Sequence, residues 1–102
     1  MPLFIKTEFF TSRALELLPS QRGKIISEHI KWVKQLSDSG IPIASGYLVD
    51  ENKQPGGGGW LILKIESFEK AKSLIEQDPM IKKGLVEWKL QEWIPIHGEL
   101  LT

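Results

Sequence analysis

His29 is the side chain of this sequence best placed for acid–base chemistry. It lies in a segment whose apolar residues recur at three- and four-residue intervals, and it falls near the middle of that apolar arc. An imidazole in such a position needs hydrogen-bond partners for its two ring nitrogens. Two interpretations follow: a core histidine held by a backbone carbonyl, or a general acid or base.

Asp50 and Asp78 are the carboxylates that the chain order brings toward His29. Asp50 follows a predicted strand, and Asp78 precedes Pro79 at the end of a predicted helix. Each also has a simpler interpretation, as a turn residue and as a helix stop. The start of the first helix, the end of the second strand and the end of the second helix share one edge of the predicted fold. We therefore expect the three side chains to converge there, because an aspartate beside a histidine fixes its tautomer and stabilises the imidazolium.

Other motifs favour chemistry less. The run Gly56–Gly59 lacks the Lys-Ser/Thr of a phosphate-binding loop and precedes a strand, so it is interpreted as a flexible hairpin loop able to act as a lid. Ser27 and Ser45 do not lie in a Gly-x-Ser-x-Gly turn, which gives serine catalysis little support. His97, close to the end of the sequence, is predicted to be a surface residue.

The composition restricts the class of protein. A length of 102 residues predicts a single domain spanning 1–102. The absence of cysteine excludes disulfides, thiolate nucleophiles and cysteine-based metal centres, and two histidines without paired spacing predict no metal site. Lys and Arg number 13 against 13 Asp and Glu, and this balance argues against nucleic-acid binding. Because no apolar run reaches ~18 residues and no secretory signal is visible, we expect a cytoplasmic protein without a membrane span.

Apolar spacing predicts four strands and two main helices. The strands are Leu3–Phe10, Ile41–Val49, Trp60–Glu66 and Leu85–Ile94, and the helices run from about Lys24 to Ser39 and from the N-cap Ser67 to Asp78. Residues 11–23 are less regular: one or two helical turns stop at Pro19, and Gly23 is a second interruption. Residues 50–59 are predicted as a polar loop, and Gly46 marks a bulge or a close backbone approach.

The order β-α-β-β-α-β is that of a ferredoxin-like α+β fold with a four-stranded antiparallel sheet. Two helices cover only one face of such a sheet, so the other face either remains in water or packs against a second sheet. Four Trp and four Phe in so short a chain favour packing. We therefore expect a homodimer that joins the two uncovered sheet faces.

Several short motifs share their order and spacing with a known protein family. They are His29 in the first helix, Ile43-Ala44-Ser45-Gly46-Tyr47-Leu48-Val49-Asp50, Gly59-Trp60-Leu61-Ile62-Leu63, Glu66-Ser67-Phe68-Glu69-Lys70-Ala71, Asp78-Pro79 and Gly84-Leu85. Together, over approximately residues 3–95, they resemble the YciI-like (YCII-related) family. Segment 11–23 matches poorly.

The resemblance implies a dimeric α+β barrel built from two ferredoxin-like chains. It also implies a pocket in which a His–Asp pair carries out acid–base chemistry on a small molecule. By position, the family's histidine is His29, its helix-ending aspartate is Asp78, and the acidic position after the second strand is Asp50. Relatives include muconolactone-isomerase-like proteins and a dehydrochlorinase of aromatic breakdown.

One departure from the family pattern concerns the pocket. The family often has Gly-Pro where this chain has Gly46-Tyr47, so Tyr47 reshapes the pocket or adds a hydroxyl to it. We expect Gly46, Tyr47 and Trp60 to line the pocket.

The sequence thus predicts a lyase, isomerase or hydrolase that acts on a small molecule without a cofactor. In it, His29 moves a proton, and Asp78 or Asp50 orients the imidazole. The alternative is a non-catalytic domain that binds a small ligand or stabilises an assembly. The expected partners are a second copy of the chain and a small molecule, and neither nucleic acid nor a membrane is expected.

Overall fold

The computed structural model describes residues 1–98, so residues 99–102 of the predicted domain 1–102 lie outside the described part. Within it the chain forms four strands and four helices. They are β1 (Leu3–Phe10), α1 (Ser12–Glu16), α2 (Pro19–Asp38), β2 (Ile43–Val49), β3 (Pro55–Lys64), α3 (Phe68–Ile75), α4 (Pro79–Lys82) and β4 (Val86–Trp93). No helix within residues 1–98 is long and apolar enough to cross a bilayer. The cytoplasmic location stays a prediction.

The strands form one antiparallel sheet in the order β2-β3-β1-β4. This is the ferredoxin-like α+β arrangement that the element order predicted, and the fold class is confirmed. β3 and β1 are the central strands, which agrees with the bulky residues on both faces of β3. Strand β1 has its predicted bounds, whereas β2 and β4 are slightly shorter than expected.

Side chains of the sheet alternate between a helix-covered face and an uncovered face. In β1, Phe4 and Lys6 are fully buried beneath the helices, whereas Phe9 on the other face is 58% exposed. The main core under the helices consists of Phe4, Leu61, Leu63, Ile65, Ala71 and Ile75. The covered face therefore carries one lysine among its apolar residues, and this lysine belongs to the site described below.

Helix α2 begins earlier than predicted, at Pro19 rather than near Lys24. The predicted helical turn before Pro19 is present as α1, but the prediction that Gly23 is a second interruption is wrong. Proline is tolerated in the first helical turn because the N–H it lacks would have no partner there. The side chain of Gln21 accepts a hydrogen bond from the backbone N–H of Leu18 at 3.0 Å, which caps this end of the helix. As a result His29 lies near the middle of α2, whereas a helix beginning near Lys24 would place it close to the start.

Strand β3 begins at Pro55, so the glycine run belongs to the strand rather than to a loop. Gly58 pairs with Phe9, and Gly59 pairs with both Glu8 and Tyr47. The prediction of a flexible lid at Gly56–Gly59 is wrong, because backbone pairing with strands on both sides does not depend on side chains. The expected bulge lies just beyond Gly46, as a register shift between Tyr47 and Val49.

Asp78 begins a helix instead of ending one. Helix α3 is capped by Ser67, as predicted, but it ends at Ile75. Asp78 is the N-cap of α4, and its Oδ1 accepts a hydrogen bond from the backbone N–H of Met80 at 3.0 Å. Pro79 takes the first helical position, where its fixed φ suits the turn. This cap directs the Asp78 carboxylate toward α2.

Candidate active site

His29 and Asp78 form a buried hydrogen-bonded pair. Nδ1 of His29 lies 2.8 Å from Oδ1 of Asp78, and the two residues are 7% and 0% exposed. An ionised carboxylate only accepts hydrogen bonds, so Nδ1 carries a proton and donates it to Asp78. In the neutral imidazole the other nitrogen, Nε2, is then the acceptor.

Ser45 continues this chain of hydrogen bonds. Its Oγ lies 3.0 Å from Nε2 of His29, so the Ser45 hydroxyl donates to the neutral imidazole. The order Asp78–His29–Ser45 is that of an orienting acid, a base and a hydroxyl. The sequence around Ser45 contains no Gly-x-Ser-x-Gly turn, so no local motif predicted this contact. Ser45 instead reaches His29 from β2, a neighbouring element in space.

Lys6 is a member of the site that sequence analysis missed. Its side chain is fully buried, and Nζ lies 2.8 Å from Oδ2 of Asp78 and 2.5 Å from Oε1 of Glu8. A buried ammonium is costly unless it is paired, and two carboxylates pair it here. The strand alternation contained the signal, since Lys6 and Glu8 share a face of β1 with Phe4. Nothing local, however, indicated that this face would be the covered one.

The Asp78 carboxylate accepts hydrogen bonds from three donors: the ring of His29, the ammonium of Lys6 and the backbone of Met80. Burial raises the pKa of this carboxyl. The hydrogen bond from His29 and the charge of Lys6 lower that pKa, and together they outweigh the effect of burial. The net effect holds the pKa of Asp78 below its ordinary value of 3.8. Asp78 therefore stays ionised and keeps the proton of His29 on Nδ1.

A cavity of about 580 Å³ lies over the strands and beneath α2. Its polar lining residues are Glu8, His29, Ser45 and Tyr47, and most of the others are apolar, including Ile26 and Val33. This size and lining suit a small molecule that is held by apolar contact and oriented by few polar groups. Within residues 1–98, no three histidine or acidic side chains are grouped to hold a metal ion.

Two of the three expected pocket residues line this cavity. Gly46 and Tyr47 contribute to its wall, and the Tyr47 side chain is 72% exposed. Trp60 does not, because it lies in β3 between Gly59 and Leu61, which face the helices. Alternation therefore directs Trp60 to the uncovered face of the sheet, where it is 36% exposed.

Asp50 does not join His29. Its Oδ1 accepts hydrogen bonds from the backbone N–H groups of Asn52 and Gln54, at 2.8 and 3.0 Å, and the residue is exposed. Both ring nitrogens of His29 have other partners. The expected convergence of three side chains is therefore wrong for Asp50, which caps its own turn as such residues commonly do. Asp78 is the carboxylate that orients the imidazole.

The YCII-related domain family matches residues 8–94 of this chain. The match covers most of the sequence, and the chain belongs to this family. The resemblance inferred from the motifs is thereby confirmed. No curated protein sequence matches the chain significantly.

Solved structures show the same fold. One is 5-chloro-2-hydroxyhydroquinone dehydrochlorinase (TftG) from Burkholderia phenoliruptrix AC1100, in complex with 2,5-dihydroxybenzoquinone. It is 23% identical, with a TM-score of 0.66 over 94% of this chain and 95% of that chain. The protein At3g17210 from Arabidopsis thaliana is 16% identical, with a TM-score of 0.57 over 98% of this chain and 100% of that chain. The de novo designed protein Ferredog-Diesel is 13% identical, with a TM-score of 0.57 over 89% of this chain and 84% of that chain.

Proposed function

We propose that this protein is a cofactor-independent acid–base enzyme that acts on a small molecule in the His29 cavity. The observation that carries the proposal is the hydrogen-bonded chain Asp78–His29–Ser45, which ends at the wall of a cavity of about 580 Å³. A histidine needed only for packing would be satisfied by a backbone carbonyl. Here Nδ1 is bonded to a buried carboxylate instead, and Nε2 is bonded to the Ser45 hydroxyl in the wall of the cavity.

In this mechanism Nε2 of His29 takes a proton from the substrate. Asp78 stabilises the resulting imidazolium, and Lys6 keeps Asp78 ionised throughout. Return of the proton to another atom of the substrate completes an isomerisation, and its delivery to a departing group completes an elimination. A positioned acid–base group of this kind contributes about 10²–10⁴-fold in rate.

The relatives support this reaction class. TftG is named as a dehydrochlorinase, and dehydrochlorination removes a proton and a chloride from one molecule. Such a step requires a base and does not require a redox cofactor. The ligand in that structure, 2,5-dihydroxybenzoquinone, is a small oxygenated ring of a size suited to a cavity of this volume. We therefore favour a small oxygenated molecule as the substrate class.

Ser45 has two possible roles that the same geometry supports. In the first, its hydroxyl relays the proton between the substrate and Nε2 of His29. In the second, Oγ attacks an acyl carbon while its proton moves to Nε2, the leaving group takes that proton, and water then hydrolyses the ester. The second role makes the protein a hydrolase, and the distance of 3.0 Å from Oγ to Nε2 is the observation in its favour.

The alternative is a non-catalytic domain that binds a small ligand or stabilises an assembly. It accounts for the cavity, but it gives no reason for an imidazole that joins a buried carboxylate to a hydroxyl in the cavity wall. Proton transfer to and from a ligand separates the two hypotheses.

The test uses small lactones, enols and chlorinated hydroquinones incubated with the protein in D2O. Nuclear magnetic resonance then measures product formation and deuterium incorporation into each compound. We expect turnover by the wild type and a loss of at least about 10²-fold in His29→Ala. The control is His97→Ala, which removes an exposed histidine and should leave the rate unchanged.

Two outcomes would contradict the proposal: a His29→Ala variant as active as the wild type, or compounds that bind without any turnover or exchange. Ser45→Ala distinguishes its two roles. A relay predicts a smaller loss than that of His29→Ala, whereas a nucleophile predicts an equal loss and a covalent Ser45 adduct detectable by mass spectrometry.

We also propose that the protein is a homodimer that joins the uncovered faces of two sheets. The helices cover one face only, and the other carries Phe9, 58% exposed, and Trp60, 36% exposed. Leu48 at the edge of this face is 56% exposed. Pairing of two such faces removes this apolar surface from water and forms the barrel that the family resemblance implies.

A further inference from the structure

Glu8 is a carboxylate of the cavity lining that the proposed proton transfer does not use. It lines the cavity from β1, and its side chain is only 8% exposed. Oε1 lies 2.5 Å from the ammonium of Lys6. Within residues 1–98, no hydrogen bond or ion pair joins Oε2 to another residue. One carboxylate oxygen is thus held by Lys6, and the other is left to accept a hydrogen bond.

The charges around the cavity favour some ligands over others. The two carboxylates, Glu8 and Asp78, outnumber the one ammonium that pairs with them, that of Lys6. Lys6 is fully buried between two carboxylates and presents no charge to the cavity, whose lining contains neither lysine nor arginine among the described residues. An anionic ligand would therefore be desolvated beside the Glu8 carboxylate without a lysine or arginine to pair with, which is unfavourable.

Gly59 makes room for this position of Glu8. A Cβ atom at residue 59 would lie 3.1 Å from Cγ and 3.2 Å from Cδ of Glu8, and 3.3 Å from the backbone oxygen of Gly46. Each of these distances is closer than ordinary van der Waals contact. The Glu8 side chain therefore lies against a position without a side chain, in the wall of the cavity.

We propose that Glu8 is a specificity-determining residue whose carboxylate accepts a hydrogen bond from a hydroxyl group of the ligand. The inference rests on the proposed function and narrows its substrate class. The cavity takes a small apolar molecule that bears a hydroxyl donor, and it rejects carboxylates and phosphates. A hydrogen bond to an ionised acceptor is worth about a 10- to 100-fold gain in affinity.

The experiment measures dissociation constants for three matched probes at neutral pH by titration calorimetry. The probes are p-cresol, which is neutral and donates a hydrogen bond, its methyl ether, which does not donate, and p-toluate, which is an anion. We expect the wild type to bind p-cresol at least about 10-fold more tightly than either of the other two.

The variant Glu8→Gln keeps the size of the side chain but removes its charge. We expect it to lose about 10-fold of the preference for p-cresol over p-toluate, whereas Glu16→Gln, at an exposed position, keeps the preference. Glu8→Asp retains the charge but shortens the side chain, so it should still reject p-toluate while binding p-cresol more weakly. Nuclear magnetic resonance spectra of the backbone amides show whether each variant is folded.

Three results would overturn this inference: tighter binding of p-toluate by the wild type, an unchanged ratio in Glu8→Gln, or no binding of p-cresol by the wild type. The measurement does not depend on turnover. A protein that prefers p-cresol through Glu8 but transfers no proton would disprove the proposed function and leave this inference standing. Turnover that requires His29, together with an unchanged preference for p-cresol over p-toluate in Glu8→Gln, would support the proposed function and disprove this inference.

Discussion

Asp78 links the stability of the buried cluster to the chemistry proposed for the cavity. It is fully buried and accepts hydrogen bonds from an imidazole, an ammonium and a backbone N–H. The same three donors that stabilise its charged form keep the proton of His29 on Nδ1. A substitution at Asp78 therefore affects both the stability of the fold and proton transfer. Measuring the free energy of unfolding as a function of pH isolates the effect on stability.

The lowered pKa of Asp78 predicts acid-dependent loss of stability. Above its ordinary pKa of 3.8 the carboxylate is ionised in both the folded and the unfolded state, and its stabilisation is fully present. As the pH falls below 3.8, the unfolded state binds the proton first. The stabilisation is then lost as the pH passes through the lower pKa of the folded state.

Urea unfolding at a series of pH values tests this prediction. We expect Asp78→Asn to lower the free energy of unfolding at neutral pH by about 1.5–3 kcal/mol, the range for a hydrogen bond to a charged group. The variant should also lose part of the dependence on pH below 3.8. Asp38→Asn is the matched control, since the Asp38 side chain is 65% exposed, and it should retain that dependence. Equal pH dependence in Asp78→Asn and the wild type would contradict this account.

At the scale of the element, β3 shows why a glycine run can form a strand. Gly58 and Gly59 pair with Phe9 and Glu8 of β1, and Gly59 also pairs with Tyr47 of β2. Glycine is unfavourable in a strand because it orders much backbone and packs no side chain. Pairing on both sides overrides this propensity. The missing side chains leave space that the cavity and Glu8 occupy.

The prediction at this scale concerns Gly59→Ala. The added methyl group would crowd Glu8 and the backbone oxygen of Gly46, so Glu8 must move from its place in the cavity wall. We expect the variant to remain folded and to bind p-cresol about 10-fold more weakly than the wild type.

Gly56→Ala is the control for this change. Within residues 1–98, nothing lies within 4 Å of a Cβ atom placed at residue 56, so the variant should bind as the wild type does. Calorimetric titration of both variants gives the comparison. Unaltered affinity in Gly59→Ala would show that Glu8 is not positioned by this contact.

At the scale of the whole molecule, the sheet is covered on one face only. The helices and the main core lie on the face of Phe4 and Leu61, whereas Phe9 and Trp60 lie on the other. Monomeric proteins rarely expose large contiguous apolar patches. This asymmetry is the basis for the proposed dimer.

Light scattering coupled to size-exclusion chromatography tests the dimer. We expect the wild type to have twice the mass of one chain at micromolar concentration. Phe9→Glu should produce a monomer, because it would bury a charge without a partner at the interface. Leu15→Glu is the control, since Leu15 is 67% exposed on α1 and away from the sheet, and it should leave the mass unchanged. A monomeric wild type would disprove the dimer.

Much of the fold could be predicted from the sequence, together with two members of the site, His29 and Asp78. The apolar periods predicted the strands and the alternation of β1, and they placed His29 on the buried arc of its helix. The element boundaries that were predicted wrongly are those assigned from proline and glycine. Pro19 begins α2, Gly23 lies inside it, and the glycine run lies in β3. At each of these places, packing or pairing outweighs the local propensity of a single residue.

The sequence alone established the α+β class and which residues of a strand share a face, because local spacing controls both. Which face of the sheet the helices cover was not encoded locally. Only the tertiary structure decided the partners of His29: Asp78, 49 positions away, and not Asp50, together with Ser45 from β2. It also buried Lys6 against Asp78, 72 positions away, and left Glu8 facing the cavity. Such contacts depend on strand register and on how helices pack across the sheet. No local spacing encodes either of these.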